Sequence, residues 1–342
     1  MMRTYQATVL LLLIYTINAN GQDIQFSQFY SNVLYINPAF AGSAHATRMI
    51  LHNRLQWPGL NAKYITSSFT ADHYFEKANS GVGLLVLKDI EGANTISSTQ
   101  TALQYSYELH LSSVYSFRAG MQAGITSQYI NYSKLTFPDQ YSTNGYLGAP
   151  TSEPIQGNTK TFLDLSSGGI FYSDQFWLSV AYDHMNQPNE AFYGTDVMRL
   201  PVKMDFATGY KFYLRKLPVY DGDNDTPYIT PTAHYKFQGK SQQLDLGAYA
   251  SYERFIMGLW YRGIPLINDY RPGLQNNESI VVQVGYKVRP ALSISYSYDA
   301  TISVLANAHT GGAHELNITY IHRKGPKKVK IMKRIPCPTF YK

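Results

Sequence analysis

The side chains with the most chemical potential gather near the end of the chain, at Asp299, His309, His314 and Glu315. A metal centre or an acid–base pair needs such groups at fixed spacing on one framework. His309 and His314 are five apart across a loop-to-strand join, which no standard zinc set demands. The favoured reading puts Glu315 on the polar face of a strand, paired with a base such as Arg323 or Lys287. Asp183 and His184 are neighbours, but no Ser or Cys stands by them in a nucleophile context, which argues against a hydrolase triad. Asp221-Gly222-Asp223-Asn224-Asp225 looks like a calcium loop but lacks the distal Glu, so a solvated acidic turn is preferred. Cys337, the single cysteine, stands between Pro336 and Pro338 and reads as an inert thiol in an extended tail. The sequence thus offers no catalytic residue, no metal site and no cofactor site, and it reads as a non-enzyme.

The elements that carry these residues alternate with a period of two. Leu103, Tyr105, Tyr107, Leu109 and Leu111 alternate with Gln104, Ser106, Glu108 and His110. Ile280, Val282, Val284, Tyr286 and Val288 alternate with Val281, Gln283, Gly285, Lys287 and Arg289. Such a run is a strand with one apolar and one polar face. Many such strands, rich in Tyr and without a long apolar stretch, point to a barrel in an outer membrane, where the sheet must close because lipid tolerates no free edge. The 30 tyrosines suit the two interfacial girdles, and 15% charged residues is low for a soluble domain, where about a quarter is usual.

The expected class is therefore all-β: a single transmembrane antiparallel β-barrel of about 14 strands. They are expected near 47–56, 62–74, 80–89, 95–111, 114–131, 161–173, 175–185, 203–215, 227–238, 242–252, 254–263, 278–288, 291–301 and 313–323. Residues 1–21 read as a signal peptide: basic Arg3, an apolar core from Val9 to Tyr15, and the box Ala19-Asn20-Gly21. Residues 22–46 form an N-terminal plug-like or periplasmic segment, 47–323 the barrel and 324–342 a basic periplasmic tail. Short even connections and long odd ones place both termini in the periplasm. The polar face, with Arg118, Gln122, Lys203, Asp205, Lys211, Asp245, Arg254, Arg262, Lys287, Asp299 and Glu315, suggests a hydrated, cross-linked lumen. Glycines at strand positions, Gly81, Gly120 and Gly168 among them, mark a bend or a close backbone approach.

The net charge of +6 is uneven. Without Arg3 and the seven Lys and Arg of the tail, 21 basic face 23 acidic residues, so the body is nearly neutral. An exported cationic tail fits anionic lipid headgroups or an acidic periplasmic partner better than nucleic acid.

Residues 22–46 lack sustained strand alternation but hold Phe26, Phe29, Tyr30, Tyr35 and Phe40, with Asn37-Pro38 as turn punctuation. Phe26, Phe29 and Tyr30 have the spacing of a short amphipathic helix. These apolar groups need cover, and the lumen or its periplasmic rim would supply it.

Several stretches resemble one known family, in order along the chain. Asp23-Ile24-Gln25-Phe26-Ser27-Gln28-Phe29-Tyr30 and Tyr35-Ile36-Asn37-Pro38-Ala39-Phe40-Ala41-Gly42 resemble the opening of the PorP/SprF family. Arg54-Leu55-Gln56-Trp57-Pro58-Gly59 resembles its R-x-Q-W-x-G motif, and His184-Met185-Asn186-Gln187-Pro188 its H-x-N-Q-P motif. Tyr298-Asp299 and Gly311-Gly312-Ala313-His314-Glu315 resemble its closing motifs, with Ala313 where Ser is usual, and Arg334-Ile335-Pro336-Cys337-Pro338 resembles its basic ending. The resemblance implies an outer-membrane barrel of the type IX secretion and gliding machinery. It implies support for secretion and cell-surface attachment of a partner protein, such as an adhesin, beside the translocon and its periplasmic ring proteins. The alternative is a passive or substrate-specific porin. Partner-binding candidates are Tyr141, Tyr146, Phe192 and Tyr193 on surface loops, and Lys327, Lys328, Lys330, Lys333, Arg334 and Phe340 in the tail. Plug candidates are Phe26, Phe29, Tyr30, Tyr35, Asn37, Pro38 and Phe40.

Overall fold

The computed structural model describes residues 23–61, 63–92, 94–155, 157–192, 197–214, 227–264, 277–303, 306, 308–323 and 335. The signal-peptide reading of 1–21, the acidic turn 221–225, Tyr193, and Lys327, Lys328, Lys330, Lys333, Arg334 and Phe340 lie outside them.

Fourteen strands make up the barrel. They are β1 (Thr47–Gln56), β2 (Tyr64–Phe75), β3 (Ser80–Glu91), β4 (Ile96–His110), β5 (Ser116–Ile130), β6 (Thr159–Tyr172) and β7 (Phe176–Asp183). Then come β8 (Lys203–Tyr210), β9 (Tyr228–Gln238), β10 (Ser241–Tyr252), β11 (Phe255–Gly263), β12 (Asn277–Arg289), β13 (Leu292–Thr301) and β14 (Ala313–His322). Sequential neighbours pair antiparallel throughout. β1 pairs with β14 from Thr47↔His322 to Gln56↔Ala313, which closes the sheet and leaves no free edge. The expected segments match these to within a few residues. The clearest difference is at 203–215, where β8 breaks at Lys211 and resumes only as Phe212–Tyr213.

The burial pattern is that of a soluble protein turned inside out. On β4, Leu103 is 64% exposed while Gln104 is 2%. On β12, Val284 is 48% exposed and Gln283 1%. Tyr105, Tyr107, Tyr286, Tyr296 and Tyr320 all point outward, as expected. Burying Gln, Ser and Arg while baring Leu and Val stabilises a chain only where the outside is lipid. Among the described residues no helix is long and apolar enough to cross a membrane; the strands do the spanning.

Odd connections lie at one end of the barrel, here the distal mouth. Even connections lie at the other, the proximal mouth, with Thr47 and His322. Most odd connections are long, but Gly92–Thr95 and Gly239-Lys240 are tight. One polar-face reading is corrected: Arg254 is exposed in the turn between β10 and β11, since two residues suffice to reverse the chain there.

Candidate functional site

The lumen is occupied. Residues 23–46 run through it from the distal mouth, where Asp23 meets Gln238 and His184, to the proximal mouth, where Ala46 enters β1. The expectation that both chain ends share one side therefore fails for Asp23, which lies at the mouth opposite His322. The expected amphipathic helix is also absent. The segment folds into single turns, Phe29–Ser31, Val33–Ile36 and Pro38–Phe40. A chain enclosed by polar strand faces can satisfy its backbone from the wall, so a continuous helix has no advantage.

Three groups of buried charge hold the segment. In the first, Arg54 faces Glu315 directly across the β1–β14 seam and bonds it, and also reaches Asp299 at 3.1 Å and Ser27 Oγ at 2.8 Å. The two carboxylate oxygens of Glu315 accept the backbone N–H of Ser27 (2.6 Å) and of Gln28 (2.9 Å). Glu315 thus pairs with Arg54, with His52 Nε2 at 3.3 Å, and not with Arg323 or Lys287 as expected. The reason is register, because Arg54 is its direct cross-strand neighbour on the lumen face. Arg262 spans Asp245 (3.0 Å), Asp299 (3.2 Å) and the Phe26 carbonyl (3.3 Å).

The second group grips residues 39–43. Arg48 forks onto Asp72 at 2.7 and 2.9 Å and donates to the Phe40 carbonyl and Ser43 Oγ; Asp72 accepts the Gly42 N–H at 2.7 Å. Arg118, paired with Glu108 at 2.9 Å, donates to the Ala39 and Ala41 carbonyls. The strand glycines explain themselves here. A Cβ on Gly120 would stand 2.2 Å from Ala39 N, one on Gly168 2.1 Å from Asn37 Oδ1, and one on Gly81 2.0 Å from the Ala41 carbonyl. Asn37 reaches Ser179 Oγ (2.8 Å) and the Val180 carbonyl (2.9 Å) and caps the Pro38 turn through Ala39 N–H. Tyr30 packs on Tyr249 and Trp260, and Phe40 on Trp177. The side chain of Phe29 lies outside the described residues.

The third group sits at the distal mouth. His184 bridges Asp23 and Asp164, both at 2.9 Å, and Lys203 lies 3.3–3.5 Å from Asp23, Asp183 and Asp205. Burial alone would raise the Asp23 carboxyl, but His184 and Lys203 outweigh it and hold the group well below the usual carboxylate range. Burial alone would lower the His184 imidazole, but Asp23 and Asp164 push it up to about 10. Both carry charge at neutral pH, so this is an ion pair. In the sequence His184 stands out as the start of the H-x-N-Q-P stretch and as no triad member, and neither reading points to an ion pair with Asp23. The usable signal was its position just past a strand that ends in a lumen-facing Asp.

Side chains that could hold a metal do not assemble: among the described residues no His, Cys, Asp and Glu cluster is so arranged. His314 instead faces outward and meets the Tyr296 hydroxyl at 2.6 Å.

The motifs spread along the sequence thus converge on one device. Trp57 N–H bonds the Gly312 carbonyl and Gly59 N–H the Thr310 carbonyl, so the stretch around Arg54 docks on the stretch around Glu315. Asp23–Gln28 lies on both, and His184 holds its start. The model of the type IX secretion system membrane protein PorP/SprF family matches residues 18–320. The chain belongs to the PorP/SprF family. It is an outer-membrane barrel of the type IX secretion machinery. No curated protein matches it. Among solved structures it is similar to the Ralstonia pickettii toluene transporter TbuX, at 11% identity over 85% of this chain and 93% of that one, TM-score 0.47. The P. putida toluene transporter TodX is similar at 10% identity over 86% and 95%, TM-score 0.47. The Acinetobacter baumannii outer membrane protein Omp33 is similar at 10% over 82% and 100%, TM-score 0.41.

The partner-binding candidates do not form one cluster. Tyr141 and Tyr146 sit on a small hairpin in the fifth connection, 52% and 57% exposed, with ring centroids 5.5 Å apart. Phe192 is half-buried in the seventh connection. Ile335, the one described residue after Arg323, is buried in the same apolar cluster as Phe40 and Trp177.

Proposed function

We propose that this PorP/SprF barrel is a non-catalytic docking platform that supports secretion and surface attachment of an adhesin-like partner protein, and is not itself the conduit. The occupied lumen carries this reading. A lumen that holds the chain's own residues 23–46, anchored by paired charges among the described residues, favours a platform over a polypeptide conduit and argues equally against a porin. The orientation that goes with this role puts the odd connections outside and the tail in the periplasm. The hairpin with Tyr141 and Tyr146 on the fifth connection, and Phe192 and Tyr193 on the seventh, then belong to the side that meets the cargo, since exposed aromatics are the usual anchors of recognition. The tail, with Lys327, Lys328, Lys330, Lys333, Arg334 and Phe340, faces the translocon and its ring proteins. The test is to shorten residues 137–150 in cells and follow both barrel insertion and surface display of the co-purifying secreted protein. Insertion with lost display is expected; normal display would overturn the role of this loop. Separately, deleting 23–46 should raise single-channel conductance in planar bilayers, and unchanged conductance would count against the plug.

A further inference from the structure

The outer wall carries one charge that the barrel itself does not explain. Apart from Arg289 at a strand end, every Lys and Arg in the fourteen strands occupies a lumen-facing position except Lys88 on β3. Lys88 is exposed, and no described carboxylate lies within ion-pair distance of it. A cation on a lipid face is costly at mid-membrane and far less so near the interface, so it must sit near headgroups or find an anion. Lys88 stands three residues before the distal end of β3, with Ile90 beyond it. There its stem can lie on apolar surface while its ammonium reaches the headgroups.

Its neighbours are also unusual for a lipid face. Ser67 lies opposite Lys88 on β2, Thr99 opposite it on β4, and Asn53 opposite Ser67 on β1. Asn53 donates to Ser67 Oγ at 2.8 Å. These four form one transverse polar row on four adjacent strands. Next to the row the wall is grooved, with a volume of about 440 Å³ lined by Leu51, Phe69, Val86, Leu316 and Ile318, and Lys88 itself borders it. A cationic, hydrogen-bonding rim joined to an apolar trough has the polarity pattern of an acylated molecule with an anionic head.

We propose that this wall is a specific site for an anionic, phosphate-bearing lipid. Its phosphate pairs with Lys88 beside Asn53, Ser67 and Thr99, and an acyl chain fills the groove. The proposal is independent of the docking role above, because it concerns the outer wall only.

The test uses the full mature chain in neutral detergent, with bound lipid read by native mass spectrometry and folding read by heat-modifiable gel migration. The probes are lipid A, diacylglycerol without phosphate, and inorganic phosphate without acyl chains. Lipid A should be retained in preference to both. Lys88→Gln should weaken lipid A retention by about fivefold, the equivalent of the ~1 kcal/mol expected per Lys at an anionic surface, and Lys88→Arg should preserve it. Val86→Trp, which fills the groove, should weaken it with the charge intact. Equal retention by wild type and Lys88→Gln, or equal binding of diacylglycerol and lipid A, would overturn the proposal. So would a co-purifying protein lost on Val86→Trp while lipid A binding is unchanged, which would make the groove a protein contact.

Discussion

Two irregular, aromatic-rich segments of similar length end in opposite environments. Residues 23–46 lie inside the barrel, with Tyr30 1% exposed, whereas the fifth connection, 131–158, stands outside with Tyr146 57% exposed. Their hydrogen bonds explain the contrast. The lumen segment bonds across hundreds of positions, as Ser27 to Glu315 and Asp23 to Gln238. The loop bonds to itself: Asp139 accepts from Thr151 and Ser152, and Gln140 holds Phe137 N–H and the Ala149 carbonyl. Aromatic content alone does not separate a segment inside the lumen from a loop outside the barrel. What separates them is whether the rest of the fold supplies partners for the backbone.

The largest test of that contrast is Arg54→Ala. It leaves Glu315 and Asp299 buried with reduced compensation and should cost about 3–5 kcal/mol in denaturant unfolding of the reconstituted barrel. A loss below about 1 kcal/mol would mean that these charges do not hold the segment. Gly120→Val should act next, by driving a side chain into Pro38–Ala39. Protease cleavage within 23–46 should appear in a barrel that still inserts, and a protected segment would break the account of the strand glycines.

Val284→Arg, on the lipid face, should cost about 2–4 kcal/mol. Gln283→Arg would be mild in a hydrated lumen. In the occupied one Gln283 is 1% exposed with Gln28 at 3.5 Å, so a clear destabilisation is expected at both sites. A silent Gln283→Arg would show that the lumen is wetter than the packing implies.

The link between Asp23 and His184 should depend on pH. The His184 pKa is raised from its ordinary ~6.5 to about 10, so its contribution is complete below ~6.5 and is lost as pH rises through 10. The Asp23 pKa is lowered, so its contribution is present above ~3.9 and is lost as pH falls below that. A spin label at residue 24 should become mobile above pH 10 in wild type, and already at pH 7 in His184→Ala. Equal mobility in both at pH 7 would remove His184 as the anchor. The smallest effect on stability is expected for Tyr146→Ala, within about 0.5 kcal/mol, because a mostly exposed ring outside the barrel loses little burial. Its effect should be confined to partner capture.

The sequence by itself determined the strands, because a period of two is a local property and a lipid outside fixes which face is apolar. It also determined closure and, through ordered motifs, the family. It could not determine what the motifs do. Arg54, His184 and Glu315 read as separate local signals until the seam between β1 and β14 set Arg54 against Glu315, and Asp23 was found threaded to the far mouth beside His184. It could not determine that the polar face packs against residues 23–46, since alternation gives the sign of a surface and not its occupant. Only the tertiary structure decided that, by bringing residues separated by most of the chain within hydrogen-bond distance, where buried charge must find a partner.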